Sequence, residues 1–311
     1  MLLGEYAVLR GAPAIVTATA ERARVQLAPA TDGCWTIACP GFDAAQHRFE
    51  DLNDPRLAQA LPLLSAVLQE TGGIPSGGQL TLDTRAFVRD GHKLGLGSSA
   101  ALAAALLWAL KARQADHFPA ALAAHRRFQN GRGSGIDVAA SVDGGTLIFE
   151  AGKAEPTRTP VPWPLSGLWV WSGRPASTTD RLQRLEHFGR EHPQQLDEHM
   201  AVLRRCCENA TAAVKTGAVA ALTDALENFR GQLEGLDNDA GLAVWTPAHR
   251  RIQQEAEQFG VFYKTSGAGG GDCGIALHQE RDRLAALKTH LAAQGYLTDW
   301  LSGNEPGVRF D

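Results

Sequence analysis

The feature that most constrains this chain is a glycine-rich loop that leads directly into a helix. The loop spans Gly95–Ser99, and residues 100–110 after it, rich in Ala and Leu, give the strongest helix signal in the sequence. Glycines let the backbone approach a ligand closely with several N–H groups pointing inward, and a helix N-terminus adds a partial positive charge. The spacing therefore predicts a phosphate cradle, with a capped helix after a tight turn as the plainer alternative.

The same loop also matches a dinucleotide-binding pattern, but its context does not fit. Gly95, Gly97 and Ala100 stand at the three required positions, and Asp116 follows at about the right distance. That fingerprint directly follows a buried strand, whereas here the charged segment 85–93 intervenes. The Gly-Lys-Ser/Thr ending of a Walker loop is missing as well. The segment is therefore neither of these two loops, and a phosphate cradle and a capped helix both stay open on spacing alone.

Two more clusters of small residues occur further along the chain. Gly133–Asp137 places a carboxylate just after a flexible loop, where an Asp usually caps a helix; the functional alternative is a carboxylate that positions a cation or accepts a proton. Ser266–Gly271 is a second backbone cradle, with Lys264 just upstream. Three such clusters indicate that backbone donors hold a multiply charged small ligand without making the protein basic.

The charge balance and the apolar pattern exclude several classes of protein. Thirty basic and 34 acidic residues give a formal net charge of -4, and no basic patch compensates locally, which argues against nucleic-acid binding. No apolar run approaches the roughly 18 residues that cross a membrane. Because no charged-then-apolar leader is visible, we expect a cytoplasmic protein. Five cysteines, an odd number without zinc spacing, favour reduced structural thiols.

The rest of the chain divides into segments with clear periodicity. Gly4–Leu9 and 14–18 are predicted as strands. Residues 179–259 are predicted to be largely helical, with breaks near His192, Gly217 and Gly235. The segment 153–167 contains four prolines, so the domain boundary is predicted there.

Three of these segments together resemble the motifs of the GHMP kinases. The first motif resembles Gly4–Leu9, the second resembles 95–101, and the third resembles 264–274 with its Asp-Cys-Gly ending. The resemblance implies an α+β fold with two domains: residues 1–155 as an N-terminal α/β domain that binds ATP, and 165–311 as a ferredoxin-like C-terminal domain.

Within the family, the strongest resemblance is to the bacterial phosphomevalonate kinases. It rests on Lys93 two residues before the second motif, on the stretch 124–140 and on the segment 171–178. Mevalonate kinases usually carry a metal-binding Glu about eleven residues before the Asp that resembles Asp137. Arg126 stands at that place here, with His125 beside it.

Two departures from the family pattern concern the start of the chain and the base-binding region. The Pro-Gly-Lys-like strand that usually precedes the first motif is largely missing, so we expect either a start codon assigned too far downstream or a protein without that Lys. The region between Gly72 and Lys93 is shorter than an adenine-binding segment is expected to be.

The resemblance implies transfer of a phosphoryl group from ATP, with Mg²⁺, to 5-phosphomevalonate by a monomer or homodimer. A phosphate monoester is largely dianionic near pH 7, so the site needs cations and N–H donors more than a strong base. The expected catalytic residues are Lys93 and Asp137. The expected ATP-binding residues are Gly95, Leu96, Gly97, Ser98, Ser99 and Ala100, of which Ser98 and Ser99 are also the metal candidates. The expected substrate-binding residues are Ser134, Arg174, Ser177, Ser266, Gly267 and Ala268.

Three functional hypotheses remain at this stage. The first is a kinase acting on 5-phosphomevalonate in isoprenoid biosynthesis. The second is another small-molecule kinase of the family, with mevalonate or a sugar as acceptor. The third is a non-catalytic paralogue that binds a nucleotide or metabolite, which the missing N-terminal Lys would favour.

Overall fold

The computed structural model describes residues 1–30, 32–72, 77–110, 116–131, 133–151 and 156–310. The strands within them are β1 Pro13–Thr17, β2 Arg24–Pro29, β3 Trp35–Cys39, β4 Asp43–Phe49, β5 Gly78–Asp83, β6 Val88–Arg89, β7 His92–Lys93, β8 Thr146–Glu150, β9 Thr157–Pro160, β10 Ser166–Trp171, β11 Phe262–Thr265, β12 Cys273–His278 and β13 Thr298–Leu301. The helices are α1 Pro55–Ala60, α2 Pro62–Thr71, α3 Ser98–Leu110, α4 Phe118–Phe128, α5 Ile136–Asp143, α6 Thr178–Glu191, α7 Pro193–Thr216, α8 Val219–Ala240, α9 Pro247–Gln258 and α10 Arg281–Ala293.

The chain forms two compact units. Unit 1 consists of Met1–Thr19 and Gly145–Glu305, and unit 2 consists of Ala20–Gly144 and Pro306–Asp311. The boundary predicted between residues 155 and 165 concerns the domains of the family and stays a prediction. Its first limit falls on residues 152–155, which lie outside the described residues.

Unit 1 contains the ferredoxin-like sheet that the resemblance to the GHMP kinases implied. Its strand order is β11-β12-β10-β13, with every neighbouring pair antiparallel. Along the chain the elements run strand, helices, strand, strand, helix, strand, which is the split βαβ arrangement of that fold. The α+β fold class is thereby confirmed.

Both faces of this sheet are covered because its side chains alternate between two apolar clusters. Leu168, Val170 and Tyr263 belong to a cluster formed with residues of α9 and α10. Phe262 and Ile275 belong to the other cluster, which contains residues of α7 and α8. Strand residues two apart point to the same face, so a single sheet separates the two groups of helices.

The N-terminal segment of unit 1 differs from its prediction. Residues Ala7–Arg10 form a 3₁₀-helix rather than part of a strand over Gly4–Leu9. Gly4 has a φ of +115° and lies so close to the neighbouring strand that a Cβ there would be 2.4 Å from the Cβ of Ala14. Tyr6 has a φ of 60°. Extended pairing therefore ends at the bridge between Leu3 and Ile15, and the segment turns inward.

Two helices of unit 1 end at a glycine, and in both cases the backbone of that glycine is left-handed. Gly217 ends α7 and Gly241 ends α8, each with a φ near the left-handed region. The break predicted at Gly235 is wrong, since this residue lies inside α8. A Cβ there would meet only the ring of His199 at 3.8 Å, so the position has ordinary helical surroundings.

Unit 2 consists of a four-stranded sheet, with strand order β2-β5-β3-β4, and helices α1 to α5. Helix α3 is buried on nearly every side, as expected for a helix that is apolar all round. Its buried residues include Ala100, Ala103 and Leu107. The hairpin of β6 and β7 leads into the loop that starts α3. Nowhere in the described part of the chain does a helix have the length and apolar character needed to cross a membrane. The five cysteines are free thiols.

Candidate active site

Unit 2 holds the loop of the second motif, which we define as the second-motif loop, Gly95–Ala100. Gly95 and Gly97 have φ of +74° and +81°, values that favour glycine. The loop runs into the 13-residue helix α3, where Ser98 is buried and Ser99 is partly exposed. The first N–H groups of a helix have no intrahelical partner. The loop and the helix start thus supply N–H donors at the place where the sequence predicts phosphate.

Two other elements of unit 2 bring polar side chains to the start of α3. Ser99 Oγ lies 3.1 Å from Nε2 of His125, which is in the last turn of α4. The same Nε2 lies 3.9 Å from Oδ2 of Asp137, in the first turn of α5. The imidazole is buried, whereas the Asp137 side chain is 39% exposed. Asp137 is not the N-cap of α5, since Gly135 is, and its Oδ1 accepts the N–H of Val138 at 3.0 Å.

Lys93 and Ser134 lie on the chain segments that enter these helices. Lys93 ends the hairpin strand β7 with an exposed side chain, and no acidic group in the described part of unit 2 pairs with it. Ser134 is half-buried, and its Oγ accepts the N–H of Ile136 at 3.4 Å. The lysine is therefore an uncommitted cation, while the serine contributes to the turn before α5.

Unit 1 holds the third-motif loop, Ser266–Asp272, whose carbonyl oxygens are held by buried side chains. Tyr6 donates its hydroxyl to the carbonyl of Ala268 at 2.6 Å. Arg181 donates Nη2 to the carbonyl of Gly270 at 3.3 Å, and His249 donates Nε2 to that of Gly271 at 3.0 Å. The three donors come from three separate segments of unit 1.

The N–H groups of the third-motif loop are only partly used. Those of Gly270 and Asp272 are donated to the carbonyls of Val244 and Arg174, each at 2.7 Å. Those of Ala268 and Gly269 have no hydrogen-bond partner among the residues that the structure describes. The carbonyls of the loop are taken up by internal donors. The adjacent N–H groups of Ala268 and Gly269 remain as donors that an anion could use.

The third-motif loop is anchored by a buried ion pair that the sequence did not reveal. Lys264 Nζ lies 2.5 Å from Oε1 of Glu5, and both side chains are buried. The ammonium also donates to the carbonyl of Thr265 at 2.7 Å, and Glu5 Oε1 accepts the N–H of Gly267 at 3.4 Å. Lys264 stands just upstream of the loop in the sequence, but its charge is paired inside the protein with Glu5.

Buried around the loop are a histidine and a tyrosine whose proton positions follow from their partners. The Gly271 carbonyl can only accept, so His249 Nε2 carries the proton. Nδ1 then accepts the hydroxyl of Tyr263 at 2.8 Å. Burial lowers the pKa of His249 from its ordinary value and raises that of Tyr263 well above its own. Both side chains are therefore neutral at physiological pH.

The remaining predicted residues of unit 1 lie next to this loop. Arg174 is exposed, and its carbonyl accepts the N–H of Asp272. No acidic side chain in the described part of unit 1 pairs with its guanidinium. Ser177 is the N-cap of α6 and accepts the N–H of Asp180 at 3.3 Å. Ser266 exchanges hydrogen bonds with the amine and carbonyl of Met1, at 3.0 and 2.9 Å. Arg174 is thus the available cation of this group.

The described residues hold no cluster of three or more His, Cys, Asp or Glu side chains that could bind a metal ion. Mg²⁺ commonly keeps several waters and binds one or two carboxylates together with substrate phosphates. The half-exposed carboxylate of Asp137, on the same side of His125 Nε2 that faces the start of α3, fits that mode. A metal that arrives with a phosphorylated ligand is compatible with these residues.

Two segments of the chain match models of known protein families. Residues 58–145 match the family model of the GHMP kinases N terminal domain, and residues 210–297 match that of the GHMP kinases C terminal. Together they span more than half of the chain. The chain belongs to the GHMP kinase family.

Relatives of this GHMP kinase are enzymes of two acceptor types. It is 29% identical to the phosphomevalonate kinase of Streptomyces sp. (strain CL190), over 88% of this chain and 86% of that protein. It is 25% identical to the mevalonate kinase of Archaeoglobus fulgidus, over 88% and 87%. Its fold is similar to Streptococcus pneumoniae phosphomevalonate kinase in complex with phosphomevalonate and AMPPNP, with a TM-score of 0.77, 21% identity, and coverage of 96% of each chain.

Proposed function

We propose that this GHMP kinase transfers the terminal phosphoryl group of ATP to 5-phosphomevalonate, giving 5-diphosphomevalonate. The Streptomyces relative named phosphomevalonate kinase supports the acceptor. The Streptococcus structure with phosphomevalonate and AMPPNP supports the pairing of this acceptor with an ATP-like nucleotide.

The observation that carries the proposal is the combination of Arg174 with the third-motif loop. No acceptor among the described residues takes the N–H groups of Ala268 and Gly269, and the carbonyl of Arg174 accepts the N–H of Asp272, the last residue of the loop. The exposed guanidinium has no acidic partner among the described residues. A guanidinium can hold a phosphate through two parallel N–H bonds, which a neutral alcohol cannot use. This part of unit 1 is suited to an acceptor that is already phosphorylated.

The nucleotide is assigned to unit 2. The second-motif loop and the first turn of α3 would bind ATP phosphates through backbone N–H groups and the Ser98 and Ser99 hydroxyls. Lys93, which is exposed and has no acidic partner in the described part of unit 2, would stabilise charge on the phosphoryl group during transfer. Mg²⁺, brought with the nucleotide and held by Asp137 together with the phosphates, would neutralise phosphate charge.

Asp137 has a lesser role as base with this acceptor. A phosphate monoester is largely dianionic near pH 7, since its second pKa is about 6, so its oxygen attacks without losing a proton. Asp137 would then mainly orient a cation. Ser134, Ser177 and Ser266 with Gly267 stay assigned to acceptor binding, with Ser177 and Ser266 exchanging their present hydrogen bonds for those to the acceptor.

A second candidate acceptor is mevalonate. The half-exposed carboxylate of Asp137, 3.9 Å from the nearest nitrogen of His125, could take the proton of an attacking alcohol. The Archaeoglobus relative is named mevalonate kinase. The two acceptors differ in one phosphate, so a direct comparison of turnover decides between them.

The test measures ADP release with 5-phosphomevalonate, mevalonate and galactose. We expect kcat/KM for 5-phosphomevalonate to exceed that for mevalonate by about 10⁴-fold or more, because an unpaired guanidinium in the site penalises the alcohol. Arg174→Ala should raise KM for the phosphorylated acceptor about tenfold or more while ATP binding stays nearly unchanged.

Arg190→Ala is the matched control, since Arg190 is exposed in the last turn of α6 and should leave KM unchanged. Comparable kcat/KM for both acceptors would reject the assignment in favour of a broader small-molecule kinase. No turnover of any acceptor, with ATP binding measurable by calorimetry, would indicate a non-catalytic paralogue.

A further inference from the structure

His125 is a buried polar side chain at the predicted nucleotide site to which the proposed mechanism assigns no role. It lies in the last turn of α4, and 2% of its side chain is exposed. Its Nε2 points at the first turn of α3, where Ser99 Oγ is 3.1 Å away, and at the first turn of α5, where Asp137 Oδ2 is 3.9 Å away. The next residue, Arg126, is exposed. The helix therefore turns its histidine, not its arginine, toward the site.

The same ring nitrogen, Nε2, faces both oxygens, and this limits the hydrogen bonds that the imidazole can make with them. One imidazole nitrogen either carries one hydrogen or offers one lone pair. A Ser–His–Asp relay for acyl transfer uses both ring nitrogens, one toward each partner, so this arrangement is not such a relay. An ionised carboxylate only accepts hydrogen bonds. A protonated Nε2 faces two acceptors favourably, whereas a bare lone pair would face the carboxylate with repulsion.

The direction of the serine hydroxyl follows from that assignment. If Nε2–H is donated to Ser99 Oγ, the hydroxyl hydrogen of Ser99 points elsewhere. Ser99 Oγ has no second hydrogen-bond partner among the residues that the structure describes. The hydrogen is thus left for a bound ligand, at the N-terminus of a helix that itself favours anions.

We propose that His125 is a positioning residue that orients the Ser99 hydroxyl as a donor to a nucleotide phosphate, with the Asp137 carboxylate favouring the Nε2–H form. The inference rests on the proposed function only in that the anion is a phosphate of ATP. It assigns Ser99 to a phosphate oxygen through its hydrogen, and leaves any cation to Asp137 and the phosphates.

The experiment compares two amide substitutions at position 125. His125→Gln places an amide N–H near the position of Nε2, and His125→Asn is too short to reach Ser99. Binding of AMPPNP is measured by calorimetry for both, for Ser99→Ala and for the combined Ser99→Ala/His125→Asn variant. We expect His125→Asn and Ser99→Ala each to weaken binding about tenfold or more, as for a hydrogen bond to a charged group. His125→Gln should stay within about threefold of the wild type.

The combined variant separates positioning from packing. If His125 acts through Ser99, adding His125→Asn to Ser99→Ala should change the dissociation constant less than about twofold, because contacting residues of one network are not additive. The control is His117→Asn, since His117 is equally buried at the start of the same helix α4 and packs on the ring of Trp108. That variant should lower the unfolding temperature without changing AMPPNP binding.

The outcomes distinguish this inference from the proposed function. Equal binding by the Gln and Asn variants, or a fully additive loss in the combined variant, would overturn the role of His125. Failure to turn over 5-phosphomevalonate, with the coupling between His125 and Ser99 intact in AMPPNP binding, would reject the acceptor and keep the inference. Absence of AMPPNP binding by the wild-type protein would reject both.

Discussion

The second-motif and third-motif loops are both glycine-rich, but the protein fixes them in different ways. The second-motif loop takes its shape from left-handed glycines and from the helix it starts, and its close polar neighbours are His125 and Asp137. The third-motif loop is held from behind by Tyr6, Arg181 and His249, and it is anchored by a fully buried ion pair.

The difference teaches what a glycine pattern can and cannot indicate. In both loops, the glycines supply backbone conformations that other residues adopt at a cost. In the third-motif loop, however, the direction of the free N–H groups depends on side chains far away in the sequence. We therefore expect substitutions around the third-motif loop to cost stability, and those around the second-motif loop to cost mainly ligand binding.

The buried ion pair offers the strongest test of that difference. Lys264→Met leaves Glu5 buried without its cation, and we expect a loss of about 3–5 kcal/mol in the free energy of unfolding, as for other broken buried pairs. Urea unfolding measures it. Lys215→Met makes the same change at an exposed site in the last turn of α7 and should cost less than about 1 kcal/mol.

A second substitution checks that the loss comes from the unpaired charge. In the Lys264→Met/Glu5→Gln variant the buried carboxylate is gone, so part of the lost stability should return. A loss below about 1 kcal/mol for Lys264→Met alone, or no recovery in the double variant, would show that the pair does not anchor the loop.

Matched glycine substitutions compare the two loops directly. Gly269→Ala would place a Cβ 2.5 Å from a side-chain methyl and 3.0 Å from the backbone of Val244, at a φ of +68°; we expect a loss of about 2–4 kcal/mol from strain and overpacking. Gly97→Ala meets only the Cβ of Asp137, at 3.9 Å, and should cost about 1–2 kcal/mol from its φ alone. Urea unfolding of both variants measures the difference, and equal losses would contradict it.

The smallest expected effect is a pH dependence of unit 1. Burial lowers the pKa of His249 below its ordinary value of 6.5, so between these two values the unfolded chain binds a proton that the folded protein does not. The stability contributed by the neutral ring is complete above about pH 6.5 and is lost as pH falls below it, by at most about 1.4 kcal/mol per pH unit for one proton. Urea unfolding between pH 5 and 8 measures it.

His249→Gln keeps an amide in place of the ring but does not titrate. This variant should be less stable than the wild type at pH 8 and should lose less stability on acidification. Identical slopes for the two proteins below pH 6.5 would contradict the assignment of the neutral ring.

The parts of this fold that the sequence could predict are those coded locally. The Ala- and Leu-rich run after Gly97 is helix α3, whereas the ferredoxin-like sheet was implied by the resemblance to the GHMP kinases. Small residues, helix formers and apolar periodicity act within a few residues of one another. Local patterns therefore located both glycine-rich loops, and the arrangement of the sheet came from the resemblance.

The misses concern residues whose surroundings come from distant segments. The 3₁₀-helix at Ala7–Arg10 was predicted as a strand, because nothing local shows that the preceding Glu5 reaches Lys264. His125 is noted in the sequence only as the neighbour of Arg126, and only the register of α4 shows that it faces Ser99.

The pairing of Glu5 with Lys264 has a consequence for the order in which the protein is made. These partners are 259 residues apart, so at the usual synthesis rate of about 5–20 residues per second the ribosome adds the lysine roughly 10–50 s after the glutamate. Strand β1 is buried along its length and pairs with β8, which is synthesised about 130 residues later. Unit 2 comes almost entirely from the intervening stretch, so it can form while the first 19 residues are still without their partners. The apolar segment at residues 2–17 is therefore exposed, and prone to aggregation, until its partners further along the chain have been synthesised.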